Sequence, residues 1–80
     1  MIQGIYSVRD DKVGFLQIMQ DTNDSTALRN FEFAVNKPES LYLANKADFR
    51  LFKLGTFDTL TGEIVLEPTP TLLASGDSFI

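Results

Sequence analysis

Phe49 to Leu66, FRLFKLGTFDTLTGEIVL, is the stretch whose reading decides the fold. Leu51 to Phe57 and Glu63 to Leu66 have strand composition, and the loop Asp58 to Gly62 between them ends on a glycine that can supply a positive φ. The stretch therefore reads as a hairpin. Alternation along its first strand turns Leu51, Lys53, Gly55 and Phe57 to one face, and Phe52, Leu54 and Thr56 to the other. Both faces are partly apolar. One is expected to cover a helix, and the other to lie under the N-terminal segments or to bind a partner.

Upstream of the hairpin, Asp21-Thr22-Asn23-Asp24-Ser25 is a run of cap-forming residues, which places a helix start near Asp24. Ala27, Leu28, Phe31, Ala34 and Val35 then recur on one face of a 3.6-residue period. Lys37 suits the negative end of the helix dipole and Pro38 ends the helix, so it spans about residues 24–36. Phe33 lies off the apolar face; packing against a neighbouring loop or the tail is expected, with a dimer contact as the sharper reading. Ser40 to Ala44 reads as a short extended run, and Asn45 to Phe49 as one helical turn.

Toward the N-terminus, Ile2 to Val8 reads as a strand and Arg9-Asp10-Asp11-Lys12 as a charged turn. Val13 to Met19 is a second strand or an extended packed segment, weakened by Gly14. Toward the C-terminus, Pro68-Thr69-Pro70 is expected to stop a central strand, Thr71 to Ala74 to make a helical turn, and Ser75 to Ile80 to fray unless it docks. The fold class expected is α+β: a small antiparallel sheet, built from the N-terminal strand and the 50–66 hairpin, packed on one main helix. Residues 1–80 read as a single domain, with 67–80 as a partly flexible tail.

The composition narrows the chemistry. The 80 residues contain no cysteine and no histidine, which excludes disulfide staples, conventional zinc sites and every His-dependent nucleophile pair. A chain this short buries little of its surface, and dimerisation is a natural supplement. No apolar run approaches the length of a membrane span, and MIQGIYSVRDD lacks the pattern of a secretory signal, so a soluble cytoplasmic protein is expected. The net charge of −4 is unevenly spread. Arg9, Lys12, Arg29, Lys37, Lys46, Arg50 and Lys53 balance the acids up to residue 53, whereas residues 54–80 carry only Asp58, Glu63, Glu67 and Asp77. Binding to nucleic acid would therefore need a local basic patch.

Three constellations invite a chemical reading. Asp21, Asn23, Ser25 and Glu32 match positions 1, 3, 5 and 12 of a calcium loop, but Thr26 stands where that loop needs glycine, and helix capping is the better account. Asp10 and Asp11 are adjacent and flanked by Arg9 and Lys12, as in a solvated turn. Lys46, Arg50 and Lys53 interleave with Phe49 and Phe52, with Tyr42 upstream. Stacking aromatics beside cations are what a single-strand binder requires, although these aromatics also suit a core.

IYSVRDDKVGFLQIM, NDSTALRNFEFAV and LYLANKADFRLFKLGTFDTLTGEI together resemble the small nonstructural protein of gokushovirus-type microviruses, phages with circular single-stranded DNA. The likeness runs in order over Ile5 to Ile64. Its most specific parts are Ile5 to Asp10, Arg29-Asn30-Phe31, Leu54 to Asp58 and Thr61 to Ile64. The resemblance implies a non-enzymatic phage protein of the host bacterial cytoplasm that binds single-stranded DNA or assists viral genome synthesis and packaging. It carries no catalytic residue, metal or cofactor. On this reading Arg9, Lys12, Lys46, Arg50 and Lys53 contact phosphates, and Tyr6, Tyr42 or Phe52 stack on bases. The alternative is an adaptor that contacts phage replication or assembly proteins through its acidic C-terminal third, without touching DNA.

Overall fold

The computed structural model describes residues 1–38 and 41–79. Four strands, β1 (Ile2–Asp10), β2 (Gly14–Asp21), β3 (Phe49–Asp58) and β4 (Ile64–Ser75), form one antiparallel sheet in the order β2-β1-β3-β4. Helix α1 (Asp24–Asn36) crosses one face, followed by the short turn α2 (Leu41–Ala44) and two 3₁₀ turns, Lys46–Asp48 and Gly76–Phe79. The architecture is α+β, as the sequence implies, with one more strand than expected: the segment left open between strand and packed extension is β2.

The core forms where the apolar stripe of α1 meets alternate residues of the two central strands. Ala27, Phe31 and Val35 from α1 pack on Tyr6 and Val8 of β1 and on Phe49 and Leu51 of β3, all buried. Leu28, Tyr42, Leu73 and Ala74 close its margins, and Tyr42 meets Phe49 edge to face at 4.6 Å. The helix starts as its capping run dictates. Asn23, in extended conformation, accepts a hydrogen bond from the Thr26 amide at 2.9 Å. Asp21 is held by the Asn30 side-chain amide at 2.7 Å, so Asp21 and Asn23 of the calcium-like pattern are both engaged with the helix.

The β3–β4 turn carries its glycine as the sequence requires, with Gly62 at φ 80°. Asp58 Oδ1 accepts the Leu60 amide at 2.9 Å across this turn. Those amide bonds hold the Asp58 carboxyl below its usual range.

Four expectations are overturned. The run read as extended at Ser40 to Ala44 is helical from Leu41, with Ser40 outside the described residues. Phe33 neither packs on a loop nor meets the tail: it is 73% exposed. The segment from Glu67 to Ser75 is not a tail with a helical turn but the second half of β4. Prolines are tolerated there because β4 is an edge strand, and Glu67-Pro68-Thr69-Pro70 occupy the gap in register between Leu66, opposite Gly55, and Thr71, opposite Lys53. Ile80, at the end of the segment expected to fray, lies outside the described residues.

The last correction concerns the faces of β3. Ile5 pairs with Gly55 and Tyr6 with Lys53, so Leu54 is an extra residue opposite β1. A bulge of this kind breaks the two-residue alternation. Leu51 and Lys53 stay on the helix side, joined by Thr56, whereas Phe52, Gly55 and Phe57 share the opposite face.

Candidate functional site

Helix α1 and the short turns all pack on one side, so the other side of the sheet is open. Its side chains fall into rows set by the register. The first row is Phe15, Arg9, Arg50 and Ser75; the second is Ile18, Ser7, Phe52 and Leu72. The third is Gln20, Ile5, Gly55 and Leu66, and the fourth Gln3, Phe57 and Ile64. Ile18, Ile64, Leu66 and Leu72 are more than half exposed. An open apolar face of this extent on so short a chain is a candidate interaction surface.

The first two rows carry the chemistry. Phe15 and Phe52 meet edge to face with centroids 5.3 Å apart, and the Arg9 guanidinium lies 5.8 Å from the centre of the Phe15 ring. Arg50 is paired with Asp11, and that carboxylate stabilises the guanidinium charge further. Beneath these rings sits Ser7, fully buried, its hydroxyl 3.2 Å from both the Leu16 and the Gln17 carbonyl. Those two residues together oppose Val8, forming a bulge in β2 that Ser7 plugs. Lys12 stands at the exposed β1–β2 turn, where Asp10 accepts its amide at 2.9 Å and where it borders a hollow shared with Asn45, Asp48 and Phe49.

The eight residues proposed from sequence are thus divided by the sheet. Arg9, Arg50 and Phe52 share the open face, with Lys12 at the adjoining turn. Tyr6, Tyr42, Lys46 and Lys53 belong to the helix side. Tyr6 is 1% exposed and donates its hydroxyl to Asp24 at 2.6 Å, which leaves no ring face for a base. Lys53 lies 3.1 Å from the same carboxylate. Lys46 reaches Asn36 Oδ1 at 2.7 Å, and Tyr42 is packed on Phe49.

Sequence reasoning missed Phe15, Ile18, Phe57, Ile64, Leu66 and Leu72 as members of one surface. The signal available was the apolar composition of GFLQIM in β2. Which residues of each strand meet on this face is set by the bulges at Leu16–Gln17 and Leu54 and, in β4, by the breaks in register at Leu73 and at Glu67–Pro70.

Among the described residues, no helix is long and apolar enough to cross a membrane, and no group of acids is placed to hold a metal ion. No curated protein and no solved structure matches the chain. A protein-family model described as Phage ORF5 protein matches residues 3–79.

Proposed function

The chain belongs to the Phage ORF5 protein family, and from that membership we propose that it is a phage nonstructural protein that binds single-stranded DNA without catalysing a reaction. It would act in the cytoplasm of the infected bacterium during viral genome synthesis or packaging. The likeness to the gokushovirus-type microvirus proteins supports this reading, and one observation carries it. Phe52 and Phe15 stand on an open sheet face beside Arg9 and Arg50, so bases have rings to stack on and phosphates have cations within the same two rows. Stacking of this kind contributes about 1–3 kcal/mol per base and tolerates any sequence.

The acidic balance of the chain sets the magnitude. With Arg9, Lys12 and Arg50 as the phosphate contacts, the salt dependence follows about three charges, roughly a 20-fold loss of affinity between 50 and 200 mM salt. Fluorescence anisotropy with a labelled oligonucleotide tests this. Replacing Arg9, Lys12 and Arg50 together by Ala removes binding, whereas Lys46→Ala with Lys53→Ala leaves it within about threefold of the parent, since both sit on the helix side. Absence of binding at micromolar protein in low salt overturns the reading.

An adaptor that grips a replication or assembly protein is the second reading. It is favoured by the aliphatic character of the face from the Phe52 row onward, where Ile5, Ile18, Ile64, Leu66 and Leu72 offer more apolar surface than a nucleic acid requires. Pull-down of a phage protein that is lost in Leu66→Lys but kept in the Arg9, Lys12 and Arg50 variant selects this reading over the first.

A further inference from the structure

The two edges of the sheet are built differently. β4 carries Pro68, Pro70 and Glu67 and breaks register where they fall, all of which obstruct the addition of another strand. β2 has no such prolines or mid-strand charge. From Gly14 to Gln20 it contains neither proline nor charge, and Phe15 to Gln20 are all exposed. Its one irregularity is turned inward, because the Leu16 and Gln17 carbonyls of the bulge face Ser7 on β1. An unguarded edge is a template for strand pairing.

A second feature lies along the same edge. Between β2 and α1 runs an apolar groove of about 300 Å³, lined by Tyr6, Met19, Ala27, Phe31 and Ala34 among others. It opens at the strand whose backbone is unpaired, so an added strand would have side chains directly over it.

We propose that a second copy of this chain occupies the β2 edge, pairing β2 with β2 antiparallel about a two-fold axis near Gln17 and Ile18. Three observations favour a second copy over an unrelated peptide. An antiparallel self-pair is self-complementary by symmetry, so one edge satisfies both partners. The pair meets no like charges, because Gly14 to Gln20 has none. The flanking charges are opposite: Lys12 precedes β2 and Asp21 ends it, so antiparallel pairing brings Lys12 of each copy toward Asp21 of the other. Leu16 or Met19 of each copy then reaches the groove of its neighbour, and the two sheets join as one eight-stranded sheet with both open faces on the same side.

Light scattering on the full chain without DNA tests the pairing, so its outcome is independent of the DNA-binding reading. The expected mass at tens of micromolar is twice the 9.0 kDa chain. Met19→Lys and Ile18→Lys each place like charges across the axis and give a monomer whose far-UV circular dichroism matches the parent; Phe33→Lys, on the exposed back of α1, leaves the dimer intact. As the chain has no cysteine, single cysteines at Leu16, Gln17, Ile18 or Met19 report contact directly. Opposed residues in an antiparallel pair are close enough for a disulfide. Oxidation cross-links at least one of these, and cysteines replacing Val65 or Thr71 on β4 do not cross-link. A parent that remains monomeric overturns the proposal. So does a dimer that survives both β2 lysines but dissociates in Leu66→Lys, which is the result expected of sheets stacked face to face.

Discussion

Tyr6 donates its hydroxyl to the Asp24 carboxylate at 2.6 Å, joining the central strand β1 to the first turn of α1. Lys53 reaches the same carboxylate from β3 at 3.1 Å. One acid therefore anchors the helix N-terminus to both central strands, and its charge also suits the positive end of the helix dipole. The hydrogen bond from Tyr6, followed by Lys53, holds the Asp24 carboxyl below its usual range. Burial, then the bond to Asp24, pushes the Tyr6 hydroxyl well above its usual value.

Replacing Tyr6 by Phe deletes this link while keeping the ring. Asp24 is nearly half exposed and regains water, so the expected loss is modest, about 1 kcal/mol in urea denaturation at neutral pH. The loss depends on pH with a definite sign. A tyrosine whose folded pKa is raised stabilises the protein fully below its unfolded value of about 10, and that contribution fades as pH rises beyond it. The difference between parent and Tyr6→Phe therefore shrinks above pH 10; a difference that stays constant would refute the assignment.

Asp24 behaves oppositely at the acid end. Its folded pKa is depressed, so its contribution is present above the unfolded value of about 3.9 and is lost as pH falls through the folded one. Asp24→Asn should flatten the fall in stability on acidification, measured as midpoint urea concentration between pH 5 and 2.

Gly4 makes room for the Tyr6 ring. A β-carbon at position 4 would collide with the ring carbons and hydroxyl of Tyr6, which lies across it on the same face. Gly4→Ala is expected to cost roughly 1–3 kcal/mol, the range for overpacking a filled site. Combining it with Tyr6→Ala should recover part of that cost, because the clashing ring is gone; strictly additive losses would argue against contact.

Ser7→Val tests the plug of the β2 bulge. Valine replaces the hydroxyl that serves the Leu16 and Gln17 carbonyls by a methyl group and adds a second methyl at a fully buried site. A loss of about 1–3 kcal/mol is expected. Hydrogen exchange should quicken in β2 and the facing part of β1 more than in α1.

Phe52→Ala probes the open face. The parent ring is half-buried against Phe15, so some stability is lost, but the fold stands on the opposite side of the sheet. If DNA stacks here, affinity for a labelled oligonucleotide falls about 5- to 150-fold, the equivalent of about 1–3 kcal/mol. Tyr42→Ala, by contrast, should lower stability through its contact with Phe49 and leave the affinity of the folded fraction unchanged.

By itself the sequence determined the elements whose signals are local. The 24–36 helix was legible because its cap, its 3.6-residue stripe and its Pro38 stop lie within one short segment, and the Asp58–Gly62 turn because positive φ belongs to glycine. Tertiary structure alone decided which residues share a surface. The single extra residue Leu54 sends Phe52 and Phe57 to one face and Lys53 to the other, and two prolines that look like a strand stop are harmless because β4 is an edge. In each case the deciding fact is the partner strand. A bulge or an edge exists only relative to a neighbour, and the partners of β3 lie elsewhere in the chain, at Ile2–Asp10 and at Ile64–Ser75. For the same reason Lys46, Arg50 and Lys53, close in sequence, end up on different sides of the molecule.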